Sequence, residues 1–233
     1  MKEISLNLKS MQDYRINESY KQLRTNIEFS GEENKIIAIT SCTPSEGKST
    51  VSLSTAYSLA EAGKKVLFID ADLRKSVLAG RYKVTGEMKG LTHFLSGQGD
   101  LSEILCITNE KGLFVIFAGP VPPNPTELLS GELFKDTLNS FRDIYDYIFI
   151  DCAPVGMVID AAIVAKCSDA AIMMIESGAV KRKLALEAKE KLETAGCPIL
   201  GVVLNKVERK SRGYYRKYYK KYEKYEEAAK VEG

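Results

Sequence analysis

The segment Thr40-Ser41-Cys42-Thr43-Pro44-Ser45-Glu46-Gly47-Lys48-Ser49-Thr50 constrains this chain more than any other. It follows an apolar run, Ile36-Ile37-Ala38-Ile39, and precedes a helical pattern from Val51 to Ala60. A strand, a turn containing Gly-Lys-Ser-Thr and a helix make the setting of a phosphate-binding loop. The first N–H groups of such a helix lack intrahelical partners, and the helix dipole adds positive potential at the same end. In that reading Lys48 reaches the β- and γ-phosphates as a point charge, and the Ser49 hydroxyl ligates Mg²⁺. Cys42 stands where the usual G-x-x-x-x-G-K-[ST] pattern has its first glycine.

Short apolar, β-branched runs alternate with helical patterns along the rest of the chain, which predicts an α/β fold: a mainly parallel sheet with helices on both faces. Strands are expected at 35–40, 65–70, 113–118, 147–151, 170–176 and 199–205, and helices at 17–29, 48–62, 91–95, 101–106, 126–142 and 181–195. Gly63 and Gly196 stand where two of these helices should stop. The run Gly119-Pro120-Val121-Pro122-Pro123-Asn124-Pro125 reads as a rigid loop, and His93 as part of a local helix. The expected organisation is an N-terminal segment (1–30), one phosphate-loop domain (31–207) and a basic, tyrosine-rich tail (208–233).

At 233 residues the chain can bury a core without covalent staples. Its five cysteines are scattered and form no C-x-x-C, so neither a disulfide framework nor a zinc site is indicated. With no signal-type apolar core and no apolar run near ~20 residues, a place in a reducing cytosol is expected.

Two further strands end in acids. Val66-Leu67-Phe68-Ile69-Asp70 is followed by Ala71-Asp72-Leu73-Arg74, and Tyr147-Ile148-Phe149-Ile150 leads to Asp151. Ligands of open α/β sheets sit beyond the carboxyl ends of the strands, so all three acids should converge on the phosphate loop. Mg²⁺ takes one or two carboxylates together with phosphate oxygens and waters, a demand met by Ser49 with Asp72 or Asp151. A carboxylate left over can take a hydroxyl proton during phosphoryl transfer; Asp70 is the first choice and Asp72 the second. A lone aspartate after a strand is as often a turn or cap residue, and the pairing of two such strands with Gly47-Lys48-Ser49 is what favours the functional reading.

The last part of the chain is of another kind. Nine Lys and Arg between residues 206 and 225, against Glu208 and Glu223, give that segment a charge of +7, whereas the whole chain carries +2 and the remainder therefore −5. Six of the twelve tyrosines lie there: Tyr214, Tyr215, Tyr218, Tyr219, Tyr222 and Tyr225. Composition alone leaves two readings open, a basic aromatic arm for nucleic acid or anionic lipid and a cluster of phosphate acceptors, on a segment that is helical or flexible.

Taken together, these features resemble the bacterial tyrosine kinases that control capsular and extracellular polysaccharide synthesis, over nearly the whole sequence. The family's modified first motif is met by Ser41, Pro44, Glu46, Gly47, Lys48, Ser49 and Thr50, and it dispenses with the first glycine. Its Asp-x-Asp-x-Arg motif is met by Asp70, Asp72 and Arg74, its third motif by Asp151, and its terminal tyrosine cluster by the six tail residues. The resemblance implies a P-loop NTPase fold using ATP and Mg²⁺, with Lys48, Asp70 and Asp72 catalytic, residues Pro44 to Thr50 around the nucleotide, and the six tyrosines as phosphoacceptors. Asn205 is placed near the adenine by analogy with related nucleotide folds. In the N-terminal helix the family's Glu-x-x-Arg-x-x-Arg, used for ring-shaped self-association, reads Glu18, Lys21 and Arg24; lysine in the middle loses the bidentate fork of arginine. The resemblance also implies a membrane activator protein with a cytoplasmic tail, placement at the inner membrane face, a partner tyrosine phosphatase, and no nucleic acid.

Two other classes compete. A membrane- or DNA-positioning ATPase of the division-site type shares the fold but usually carries an extra lysine early in the loop, and Ser41-Cys42-Thr43 has none. A nucleotide-dependent structural component with a polymer-binding basic tail is the other. Eukaryotic-type kinase signatures, His-Arg-Asp and Asp-Phe-Gly, are missing from the sequence.

Overall fold

The computed structural model of the chain describes residues 2–8, 13–82 and 89–207. The described strands form one eight-stranded sheet in the order β1-β4-β5-β3-β6-β2-β7-β8. These are β1 (Lys2–Ile4), β2 (Ile36–Ser41), β3 (Val66–Asp70), β4 (Leu105–Thr108), β5 (Leu113–Ile116), β6 (Tyr147–Asp151), β7 (Ala170–Glu176) and β8 (Ile199–Asn205). All neighbouring pairs run parallel except β4 with β5.

Successive side chains of a strand point to opposite faces, and here both faces are covered. Ile37, Ile39, Val66, Phe68 and Phe149 pack with Ile27 of helix α1 (Tyr14–Glu28) and with Leu53 and Leu59 of α2 (Lys48–Glu61). The alternate residues Ile36, Ala38, Leu67, Ile69, Ile148 and Ile150 meet the other layer. That layer includes Leu129 of α6 (Pro125–Ser130), Phe134 and Leu138 of α7 (Glu132–Phe141), Ala161 and Val164 of α8 (Asp160–Lys166) and Leu192 of α9 (Arg182–Thr194). Three short helices, α3 (Leu78–Arg81), α4 (Leu91–Leu95) and α5 (Leu101–Ile104), lie between β3 and β4 in the chain.

Several expectations hold with small shifts. Gly63 and Gly196 follow α2 and α9 at φ 89° and 76°. His93 lies in α4, where its Nδ1 accepts from the Gly90 N–H at 3.1 Å and so caps the helix. Others are corrected. The expected helix 101–106 stops at Ile104, because Leu105–Thr108 is drawn into the sheet beside β5 as β4. The expected helix 126–142 is two helices, broken where Gly131 takes extended backbone (φ −69°, ψ 149°). The N-terminal segment is tied to the main body: β1 pairs with β4, and Leu6 and Leu8 are buried.

Register is what positions the site. Ile69 pairs with Ile150 and Asp70 with Asp151, while Ile39 of β2 pairs with Asp151 on the other side of β6. The carboxyl ends of β3 and β6 therefore finish level, and β2 runs on beside them by two residues to Ser41, into the phosphate loop. Phe149, at the middle of β6 and fully buried, carries the central packing. Phe149→Ala should cost about 3–5 kcal/mol, read as a lowered urea midpoint with an unchanged slope.

Candidate active site

Gly47 (φ 93°) and Ser45 (φ 67°) turn the chain from β2 into α2, whose first residue is Lys48. The turn is held from outside itself. The buried Glu46 carboxylate accepts from the Thr43 N–H, from the Thr43 hydroxyl at 2.8 Å and from the Glu176 N–H at the end of β7 at 2.9 Å. Asn205, at the end of β8, donates from Nδ2 to the Glu46 carbonyl at 2.8 Å. Lys206 donates to the Ser45 carbonyl at 2.8 Å and to the Glu176 carboxylate at 2.7 Å. A Cβ on Gly47 would come within 2.1 Å of Asn205 Nδ2, so glycine is required both by φ and by space. Cys42 is fully buried, and its carbonyl would lie 2.1 Å from a Cβ on Gly156 in the loop after β6. Gly156 thus lets that loop close on the phosphate loop.

The acids converge as the strand ends require. Lys48 Nζ lies 3.9 Å from Asp151 Oδ1 and 4.0 Å from Asp72 Oδ2. Both Asp151 oxygens are buried with no hydrogen-bond partner among the described residues. Burial pushes its carboxyl upward, and nearby Lys48 and Ser49 oppose that shift without a well-formed hydrogen bond. Asp70 is 1% exposed and accepts from the Ser76 hydroxyl and, at 3.3 Å, from the Asp72 N–H. Burial first, and then the adjacent Asp151, push its carboxyl up to about 8. Asp72 lines the cleft in front of the loop, whereas Asp70 does not.

An unsatisfied buried carboxylate beside a phosphate loop calls for a partner. A hydrated Mg²⁺ fits this donor set: Ser49, Asp72 and Asp151 are oxygen donors, and the neighbouring Lys48 attracts phosphate. No group of three His, Cys, Asp or Glu among the described residues could hold a metal alone, so phosphate oxygens and water would have to complete the shell. The cleft, about 500 Å³, is walled by residues Pro44 to Thr50, by Arg74, Lys75 and Arg81, and by the loop after β6.

Three features were not legible in the sequence. Arg74 donates to the buried Asp160 carboxylate at 2.6 and 3.0 Å and to the Thr126 hydroxyl at 2.9 Å, joining the β3 loop to α8 and α6. Arg81 donates to the Thr50 hydroxyl at 2.5 Å, placing a second cation beside the loop. Lys206 closes the loop from the far side. Their partners lie 86, 31 and 161 residues away, beyond the reach of any local pattern.

The family model described as an AAA domain matches residues 34–183. The tyrosine-protein kinase CpsD of Streptococcus agalactiae serotype III is 50% identical over 197 residues, covering 84% of this chain and 85% of that protein. The solved kinase domain of Escherichia coli tyrosine kinase ETK is 35% identical, with a TM-score of 0.78 over 83% of this chain and 77% of that one. The chain belongs to the bacterial tyrosine kinase family. A structure of the septum site-determining protein MinD from Pyrococcus horikoshii, complexed with Mg-ADP, shares the fold more distantly: 26% identity and a TM-score of 0.65, over 76% of this chain and 72% of that one. The phosphate-loop architecture is common to both groups.

Other residues singled out in this bacterial tyrosine kinase take plain positions. Glu18 and Lys21 pair along α1 at 2.8 Å, and Arg24 donates to the Ser58 carbonyl of α2 at 2.8 Å. Asn205 touches the phosphate loop itself. The six tail tyrosines lie outside the described residues.

The Asp70 shift has a sign that can be checked in the ligand-free protein. From about pH 4 to about 8 the unfolded chain releases this proton while the folded chain retains it, so the group's contribution to stability falls as pH rises through that window. Asp70→Asn should remove this fall, gaining on the order of a few kcal/mol over the parent between pH 4 and pH 8, measured by urea unfolding at each pH. Gly156→Ala should push the β6 loop off Cys42 and weaken binding of a fluorescent ATP analogue about tenfold or more, measured by titration.

Proposed function

We propose that this chain transfers the terminal phosphoryl group of Mg·ATP to protein tyrosine, and that tyrosines of its own 208–233 segment in a neighbouring copy are among the acceptors. Supporting this reading most directly is Lys48 held between Asp72 and the unsatisfied Asp151 at the mouth of a phosphate loop. The relatives named as tyrosine-protein kinases carry it from nucleotide binding to transfer.

In that transfer the phenol oxygen forms a bond to the γ-phosphorus, the bond from that phosphorus to the β,γ-bridging oxygen breaks, and ADP leaves. The phenol proton passes to an aspartate of the 70/72 pair. Lys48 draws the phosphate chain against the start of α2, and Arg81 adds positive charge beside Thr50. A bound Mg²⁺, held by Ser49 with Asp72 and Asp151, would neutralise charge on the β- and γ-oxygens. A carboxyl held up near 8, as that of Asp70 is, can accept or release a proton close to neutral pH. Pro44, Ser45 and Glu46 shape the loop around the phosphates, and Asn205 fixes it at the side where the base of the nucleotide is expected.

The described chain ends beside the site: Lys206 lines the cleft. From Gly213, a dozen extended residues span roughly 40 Å, enough to cross to an adjacent copy. Each phosphotyrosine adds about −1.5 to −2, so six would turn the +7 segment into one of about −2 to −5. That reversal would change how the segment is held against neighbouring charges and loosen the assembly. Self-association through Glu18, Lys21 and Arg24 into a ring, a membrane activator with a cytoplasmic tail, a tyrosine phosphatase that resets the tail, and control of capsule or exopolysaccharide synthesis from the inner membrane face complete the proposal. No helix among the described residues is long and apolar enough to cross a membrane.

Incubation of purified protein with Mg·ATP, followed by phosphotyrosine detection, tests the reading. Lys48→Met and Asp70→Ala should abolish labelling, and changing the six tail tyrosines to Phe should remove self-labelling while ATP binding persists. Release of free phosphate with no modified tyrosine, even with an activator supplied, would sink the kinase assignment.

A further inference from the structure

Five cations line the cleft: Lys48, Arg74, Lys75, Arg81 and Lys206. Three of them are answered by carboxylates. Lys48 lies between Asp72 and Asp151, Arg74 is held by Asp160, and Lys206 by Glu176. Arg81 and Lys75 have no carboxylate within ion-pair distance among the described residues. Of these two, Arg81 is the one fixed in place. One guanidinium N–H goes to the Thr50 hydroxyl at 2.5 Å, and the residue closes α3, whose first residue, Leu78, is buried. The other four N–H groups have no protein acceptor among the described residues. An exposed arginine without a counter-charge is ordinary on an open surface. One tethered to the first turn of a phosphate-loop helix, in the cleft itself, is placed to take an anion.

We propose that Arg81 is a further nucleotide-binding residue, its guanidinium gripping the α- and β-phosphates, the part of the ligand that ATP and ADP share. This rests on the kinase reading above and adds to the same site the residue that retains the product nucleotide. Its position decides which phosphates it meets. Thr50 stands two residues beyond Lys48 in the first turn of α2. In such a loop the lysine reaches the β- and γ-phosphates, while backbone N–H groups cradle the α- and β-phosphates. Lys48 is grouped with Asp72 and Asp151, whereas Arg81 is tied to Thr50. A planar fork engages two phosphate oxygens at once, which the point charge of a lysine does not. Groups that stay on the nucleotide throughout transfer are held equally in substrate and product. Such a contact lowers KM and slows the departure of ADP, and it leaves the chemical barrier where it was.

The test compares the full chain with Arg81→Gln and Arg81→Lys in the presence of Mg²⁺. A fluorescent ATP analogue is titrated directly and ADP by competition, each at low and high salt. In Arg81→Gln both Kd values are expected to rise together, by about tenfold, with Arg81→Lys recovering part of the loss. Loss of a charged contact should also flatten the dependence of Kd on salt relative to the parent. In phosphotyrosine formation, KM for ATP should rise by about tenfold while kcat stays within about twofold. A loss confined to the ATP analogue, with ADP unchanged, would put the guanidinium at the γ-phosphate and overturn the assignment. So would a fall in kcat with both affinities kept. Equal losses that keep the parent's salt dependence would reduce Arg81 to a brace for Thr50, and unchanged Kd values would remove it from the site. Absence of phosphotyrosine in every mixture, the parent chain included, would end the kinase reading, and the ADP titration would still decide Arg81.

Discussion

A carboxylate buried with both oxygens unpartnered is expensive, and Asp151 is such a group. It is tolerated because Lys48 stands 3.9 Å away and because the parallel register of β3, β6 and β2 leaves no other place for a residue at the end of the central strand. Lys48 is itself nearly buried and shared with Asp72. Removing either partner from such a pair leaves an uncompensated charge inside the protein. Asp70, buried beside Asp151 and Asp72, holds its proton up to about 8, chiefly because burial disfavours its charge. In the proposed function phosphate would engage Lys48 and a hard cation would engage the acids, so that each charge would gain a partner.

The sequence revealed what is local and repetitive. The buried strands were legible because each is a short apolar run, several of them ending in a polar residue such as Asp70, Asp151 or Asn205, and β6, β7 and β8 fall where the pattern put them. The phosphate loop was legible because its chemistry needs neighbours in the chain. By contrast, Leu101 to Thr108 mixes a helical turn with a strand of four residues, and only its pairing with β5 decides where one ends. The three-residue β1 owes its state entirely to β4, its neighbour across the sheet. The same holds for the site. Arg74 was recognisable as part of a motif, yet nothing near it in sequence points to Asp160 or Thr126.

Asn205 is a residue whose position is clearer than its type suggested. At the end of β8 its amide is spent on the Glu46 carbonyl, and it packs where a side chain on Gly47 would stand. Glu46, for its part, spends its carboxylate on Thr43 and on the end of β7. Acid and amide both serve the shape of the loop, which explains why an acidic residue can sit within an anion-binding turn: its charge is buried and bonded to N–H and O–H donors.

The consequence reaches the tail. Lys206, at φ 54°, is the last residue but one before the basic segment, and it holds the Ser45 carbonyl and the Glu176 carboxylate at once. A left-handed conformation for a lysine is strained, and two charge-assisted bonds are what hold it there. Any pull on the segment that follows is therefore felt first at a contact with the phosphate loop. In the proposed function, a tail taken up by a neighbouring cleft would lead back through Lys206 to the loop that holds nucleotide. A chain whose tail is both product and tether would be tuned by that adjacency, because loosening Lys206 would free the loop at the edge where the ends of β7 and β8 hold it.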